Sequence, residues 1–161
     1  MIPIFDISSL KLDKNMPDKY LPSVRSMIMS KIKSSNTKPE ILVRKFLYQN
    51  RFRFRRNVKS LPGTPDIVIS KISTVIFING CFWHGHENCK FFKLPQTRTD
   101  FWQNKIKRNS ERDKESIEKL QKMGWNVIVI WECQLKPKKQ KVSLEKLLDV
   151  LYSLFLQSVK I

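Results

Sequence analysis

Hydrophobic positions along the chain change their period several times, and each change marks an element. Residues 1–22 hold no sustained period and contain Pro3, Pro17 and Pro22, so a partly ordered arm is expected over 1–24, ahead of one domain over 25–161. SVRSMIMSKIK (23–33) has a short helical pattern. NTKPEILVRKFLYQN (36–50) starts a second helix, with Thr37 at the N-cap, Pro39 in the first turn and Glu40 at the capping-box position. RFRFRRNV (51–58) alternates as a half-exposed strand whose outward face is arginine. LPGTPDIVIS supplies a turn and then a short buried strand, DIVIS (66–70). TVIFIN (74–79) is nearly continuous in apolar residues, as in the centre of a sheet covered on both faces. A long helix is predicted over 99–124, ended by Gly124, then a third buried strand, WNVIVIWE (125–132). After a basic linker, KPKKQK, the stretch 142–157 has the 3.6-residue period of a docked helix. Strands and helices alternate, which predicts a three-layer α/β domain with a mixed central sheet.

Composition narrows the function. The 161 residues suit one domain with a proper core, and 41% are hydrophobic, with ten Phe and four Trp, so the chain is not a disordered basic tail. No apolar run approaches the ~18 residues a bilayer span needs, and the first ten residues do not read as a signal peptide. Thirty-one Lys and Arg against fourteen Asp and Glu give +17, far beyond what solubility asks. The expected partner is a polyanion, nucleic acid rather than a membrane face. Three cysteines, an odd number, point to a reducing cytoplasm and a metal or core role rather than a disulfide framework.

The candidate chemistry is concentrated in FINGCFWHGHENC (77–89), which contains both histidines and two of the three cysteines. Cys81, His86 and Cys89 are zinc-type ligands, and Cys133 lies just past the strand 125–132. If that strand neighbours 74–79, the four converge, and three thiolates with an imidazole make a closed, structural zinc site. The alternative is three small buried thiols in the core. His84 has no place in such a shell. Asp66, at the start of a buried strand, is placed to hold Mg²⁺ against a phosphate, or else caps its turn. Glu40 is the capping-box partner it looks like, or an acid near that site. Lys105, Asn109 and Asp113, spaced four apart, share one face of the long helix. They either contact DNA and orient a histidine or form a solvated face.

MSKIKSSNTKPE, LPGTPDIV, FINGCFWHGHENC, FKLPQTRTDFW, KRNSERD and GWNVIVIWEC, in this order, resemble the very short patch repair (Vsr) mismatch endonuclease family from about Arg25 to Leu135. The resemblance implies a fold related to type II restriction enzymes (PD-(D/E)XK-type), a structural zinc, and Mg²⁺-dependent nicking 5′ to the T of T:G mismatches left by deamination of 5-methylcytosine. By position, it makes Asp66 the metal-binding aspartate, with the Ile78 main-chain carbonyl joining the metal. His84 becomes the active-site histidine, Asp113 the acid that orients it, and Glu40 an acidic residue near the site. Cys81, His86, Cys89 and Cys133 become the zinc ligands. Phe82 and Trp83, with Met29, match side chains that wedge into the base stack, and Lys105 and Asn109 match residues near the mismatched bases. Where the family pattern has a second histidine, before the Gly of GCFWH, this chain has Asn79, which cannot accept a proton at neutral pH. The spacing from His86 to Cys89 is one residue longer than in the family pattern. The implied partner is double-stranded DNA with a T:G mismatch. A mismatch-repair protein is a further candidate, and the expected state is a cytoplasmic, nucleoid-associated monomer. Two other readings stay open: a sequence- or structure-specific nuclease linked to restriction–modification, and an inactive zinc-bearing DNA-binding module.

Overall fold

In the computed structural model of the chain, residues 21–31 and 35–159 are described. The elements run α1 (Pro22–Ser30), α2 (Lys38–Gln49), β1 (Arg55–Arg56), β2 (Ile67–Ile69), β3 (Thr74–Asn79), α3 (Thr99–Lys122), β4 (Asn126–Trp131) and α4 (Pro137–Val159). The sheet order is β1-β2-β3-β4; the first two pairings are antiparallel and β3–β4 is parallel, so the sheet is mixed as expected. The parallel register sets Asn79 opposite Trp131. That pairing brings the loop after β3 beside the chain after β4.

The period of two along each strand divides the core. Ile67, Ile69, Ile76 and Ile130 pack on one face with Val43 and Leu47 of α2 and Leu144, Leu147 and Leu151 of α4. Val68 and Val75 pack on the other with Leu120 of α3, beside Phe77, Trp125 and Val127. The result is three layers, α2 and α4 over the sheet and α3 beneath it. Each fully buried aliphatic side chain contributes ~1.5–3 kcal/mol, so both faces are needed for a sheet with strands this short.

The described elements differ from the periodicity in four places. Only Arg55–Arg56 of the stretch 51–58 is a strand, because β2 offers three residues to pair with and residues at positive φ, Arg51 and Asn57, flank the run. β4 is half-buried rather than buried, since it lies at the end of the sheet. Helix α4 starts at Pro137 and absorbs the basic linker; proline at the first helical position loses no hydrogen bond. Helix α1 begins at Pro22, so the boundary of the expected arm at residue 24 falls inside it, while residues 1–20 lie outside the described residues. Gly124 ends α3 as expected: its φ of +82° suits glycine, and the Trp125 N–H reaches back to the Leu120 carbonyl at 3.0 Å.

Candidate active site and thiol cluster

Asp66 sits where the turn 62–65 enters β2, and its Oδ2 accepts the N–H of Ile78 at 2.7 Å. This side-chain to backbone bond ties the carboxylate to the C-terminal end of β3. Burial, with the nearby Glu40 carboxylate, pushes the Asp66 pKa up from 3.8 to about 6, against the Ile78 N–H, which lowers it. Glu40 is 4% exposed and accepts from the Thr37 N–H and hydroxyl (3.3 and 2.7 Å) and from the Asn36 N–H (2.9 Å). Arg44, one turn on, pairs with it at 3.3 Å. The capping box forms as the sequence predicts, and it aims Glu40 into the same cleft as Asp66. This cleft, about 1010 Å³, is lined by Glu40, Asp66, Ile78, Asn79, His84 and Asp113, among others. A hard cation fits the donor chemistry here: an oxygen ligand whose ionisation burial and a second carboxylate disfavour, with a backbone segment alongside.

The loop after β3 is gripped by one face of α3. His84 Nδ1 and Asp113 Oδ2 are 2.5 Å apart. Four residues earlier on α3, Asn109 Nδ2 donates to the Trp83 carbonyl at 2.9 Å. Four earlier again, Lys105 Nζ lies 5.5 Å from the Trp83 ring centroid. The i, i+4, i+8 spacing thus engages two consecutive loop residues from one helix face, and the reading of that face as merely solvated fails. Gly85 (φ +63°) allows the close approach, because a Cβ there would lie 2.8 Å from Ile106 Cγ2. Phe82 and Trp83 are half-buried, not fully exposed, in edge-to-face contact with each other and with Trp102 at centroid distances of 5.1, 5.3 and 6.1 Å.

The remaining members of the loop turn away from the cleft. The ligand atoms of Cys81, His86, Cys89 and Cys133 all lie within 4.8 Å of one another, and His86 Nδ1 is 3.5 Å from Cys133 Sγ. The His86 ring stacks on Trp131 at 4.0 Å, which fixes its orientation. Burial pushes the Cys81 thiol up to about 12, so a cation bound by it must displace its proton. Three sulfurs and one imidazole at this separation fit a tetrahedral zinc, whose bonds of ~2.0–2.3 Å set neighbouring ligand atoms a little closer together.

A family model for the DNA mismatch endonuclease Vsr matches residues 17–90. The DNA mismatch endonuclease Vsr of Escherichia coli is 42% identical over 125 residues, 78% of this chain and 80% of that protein. The type II nicking enzyme V.NmeAIP of Neisseria meningitidis is 53% identical over 123 residues, 76% and 87%. V.XorIIP of Xanthomonas oryzae, also named a type II nicking enzyme, is 44% identical over 120 residues, 74% and 88%. The chain belongs to the Vsr family.

Of the residues that the Vsr pattern singles out, Glu40, Asp66, Ile78, Asn79, His84 and Asp113 come together in the cleft, and the four sulfur and imidazole ligands come together beside it. Lys105 and Asn109 contact the loop that holds Phe82 and Trp83. Met29 is in α1, and its side chain lies outside the described residues. Three further side chains belong to this region. Trp102 backs the aromatic pair; Arg112 lines the cleft and donates to Asn109 Oδ1 at 3.2 Å; Glu132 lines it from the end of β4. Trp102 and Arg112 carried a signal in the helical spacing 102/105/109/112/113, whereas Glu132 needed the β3–β4 pairing to be placed.

Proposed function

We propose that this chain is a DNA endonuclease that nicks one strand 5′ to the T of T:G mismatches arising from deamination of 5-methylcytosine. In this reading Mg²⁺ is held by Asp66 and the Ile78 carbonyl, and Zn²⁺ by Cys81, His86, Cys89 and Cys133 as a structural ion. The observation that carries the reading is that an acid cluster, an acid-oriented histidine and a half-exposed aromatic pair meet at one cleft in a strongly basic protein. The mixed three-layer sheet, with an acid at the start of β2, supports kinship with the restriction-endonuclease fold. The unit is taken as a single domain over 25–161, monomeric and cytoplasmic.

The geometry supports the following roles. A carboxylate only accepts hydrogen bonds, so the Asp113 contact puts the proton on Nδ1 of His84 and leaves Nε2 as the basic nitrogen. His84 then takes a proton from the attacking water, and Asn79, which cannot, positions it. Asp66 and Glu40 bring negative charge to the phosphate site, and a Mg²⁺ held there would supply the neutralisation of the phosphate and of its developing charge. Phe82 and Trp83, backed by Trp102, enter the base stack; unstacking a step takes a few kcal/mol and less beside a mismatch, so a braced wedge selects damaged steps. Because Trp83 and His84 are adjacent and both held by α3, the wedge and the base move as one piece.

The test is a panel of duplexes carrying every mismatch, with and without Mg²⁺. The expected result is Mg²⁺-dependent nicking of one strand at T:G and little cutting of matched duplex. Equal cutting of a matched duplex would instead favour the nuclease linked to restriction–modification, a reading the names of the nicking-enzyme relatives keep in view. Binding without any cutting would leave only an inactive DNA-binding module.

A further inference from the structure

The free edge of the sheet carries charge that the cleft does not use. In the run RFRFRR, Phe52 is buried and Phe54 half-buried, while Arg51, Arg53, Arg55 and Arg56 are exposed. Among the described residues none of these four guanidinium groups has a carboxylate partner; Arg55 Nη2 reaches Ser70 Oγ at 3.4 Å and nothing more. Three of the surface lysines of α3 and α4 differ: Lys107, Lys119 and Lys141 each pair with a glutamate one turn away. Four like charges in six residues, with no carboxylate partner among the described residues, repel one another and exceed what edge protection requires, since one or two charges already discourage edge-to-edge pairing.

Their position gives the charge a use. Arg56 pairs with Ile67, the neighbour of Asp66, and the next residue, Asn57, donates its N–H to the Asp66 carbonyl at 3.4 Å and lines the cleft. The stripe therefore starts at the cleft wall and runs outward. At no more than ~3.3 Å per residue, Arg53 lies within about 10 Å of Arg56, a span of up to about three phosphate rises along one DNA strand. We infer that this arginine edge is a track for the phosphate backbone of the duplex flanking the cleft, on one side of the cut. The inference rests on DNA occupying the cleft as proposed, but not on mismatch specificity, because phosphate contacts carry no sequence information.

The experiment uses the full chain with R53Q/R55Q/R56Q, and R53K/R55K/R56K as the charge-preserving control. Binding to a long T:G duplex, a long matched duplex and two T:G duplexes trimmed on one side or the other is followed against salt. Each lost phosphate contact lowers the slope of log K against log salt by ~0.9, so the glutamine variant should lose about 2–3 in slope on both long duplexes. The lysine variant should keep its slope. One trimmed duplex should reproduce that loss in the wild type, and on it the glutamine variant should lose nothing more. An unchanged slope, or losses that add on both trimmed duplexes, overturns the inference. So does a glutamine variant that only aggregates with its slope intact, for the arginines then guard the edge. Slope loss on matched DNA in a protein that ignores T:G would leave this inference standing and remove the mismatch reading.

Discussion

Two sites share one loop and are built on opposite terms. Cys81, His86 and Cys89 face Cys133 in a cluster that supplies all of its own ligands, with Cys81 only 2% exposed. Trp83 and His84, between them, line the open cleft, and residues 83–85 are held by α3 through Asn109, Asp113 and the tight packing at Gly85. In the cluster every donor set fits one cation, and nothing in it is left to react. In the cleft the half-buried Asp66 is kept near Glu40, where its ionised form is disfavoured. In the proposed reading, stability lies in the first region and chemistry in the second, and one loop carries residues of both.

The sharpest way to break this division is at Cys133. Cys133→Ser is expected to lower metal content and melting temperature together, since the binding energy of a structural zinc is largely folding energy, ~10–16 kcal/mol in small zinc peptides. Metal analysis and calorimetry on the same preparation check it; a zinc-free protein with full activity would refute the structural role.

Asp66→Asn should do the reverse. Nicking should fall by about a hundredfold to a thousandfold or more, as for loss of one charge-stabilising group in an active site. Stability should rise, and its pH dependence has a definite sign. The folded carboxyl keeps its proton to about pH 6 against 3.8 for the free group, so its contribution is complete below pH 3.8 and is lost as pH rises through 6. In Mg²⁺-free buffer the asparagine variant should therefore melt above the wild type beyond pH 6, by roughly 1–3 kcal/mol, and lose that advantage below about pH 4. A melting difference that is flat with pH would refute it.

The two histidines offer an internal control. His84→Ala is expected to lose about 10²–10⁴-fold in rate with metal content intact, whereas His86→Ala should lose the metal first. Single-turnover rates and zinc content, measured side by side, decide this; equal zinc loss in both variants would merge the two sites.

Smaller effects are expected at the aromatic pair. Trp83→Ala should bind duplex at low salt and keep its metal, yet discriminate T:G from matched DNA less well, by ~1–3 kcal/mol of lost stacking. Its packing on Phe82 and Trp102 also predicts a modest fall in melting temperature. Unaltered discrimination would confine the ring to packing.

Much of this was legible in the chain itself. Strand and helix periods placed β3, the start of α2 and the end of α3, because a local pattern needs only its own residues: Thr37 and Glu40 three apart, Gly124 after the last helical turn. The +17 charge and the cluster of ligand types in residues 81–89 were equally local. What the tertiary structure decided were the meetings between distant segments. The parallel β3–β4 register brought Cys133 to Cys81 and Glu132 to the cleft, and the packing of α3 under the sheet turned an ambiguous polar face into the support of His84 and Trp83. It also shortened the expected arginine strand to two paired residues, since pairing depends on the length of the neighbour and not on the propensity of the strand. Spacing along a chain fixes which side chains share a face; only packing fixes what that face meets.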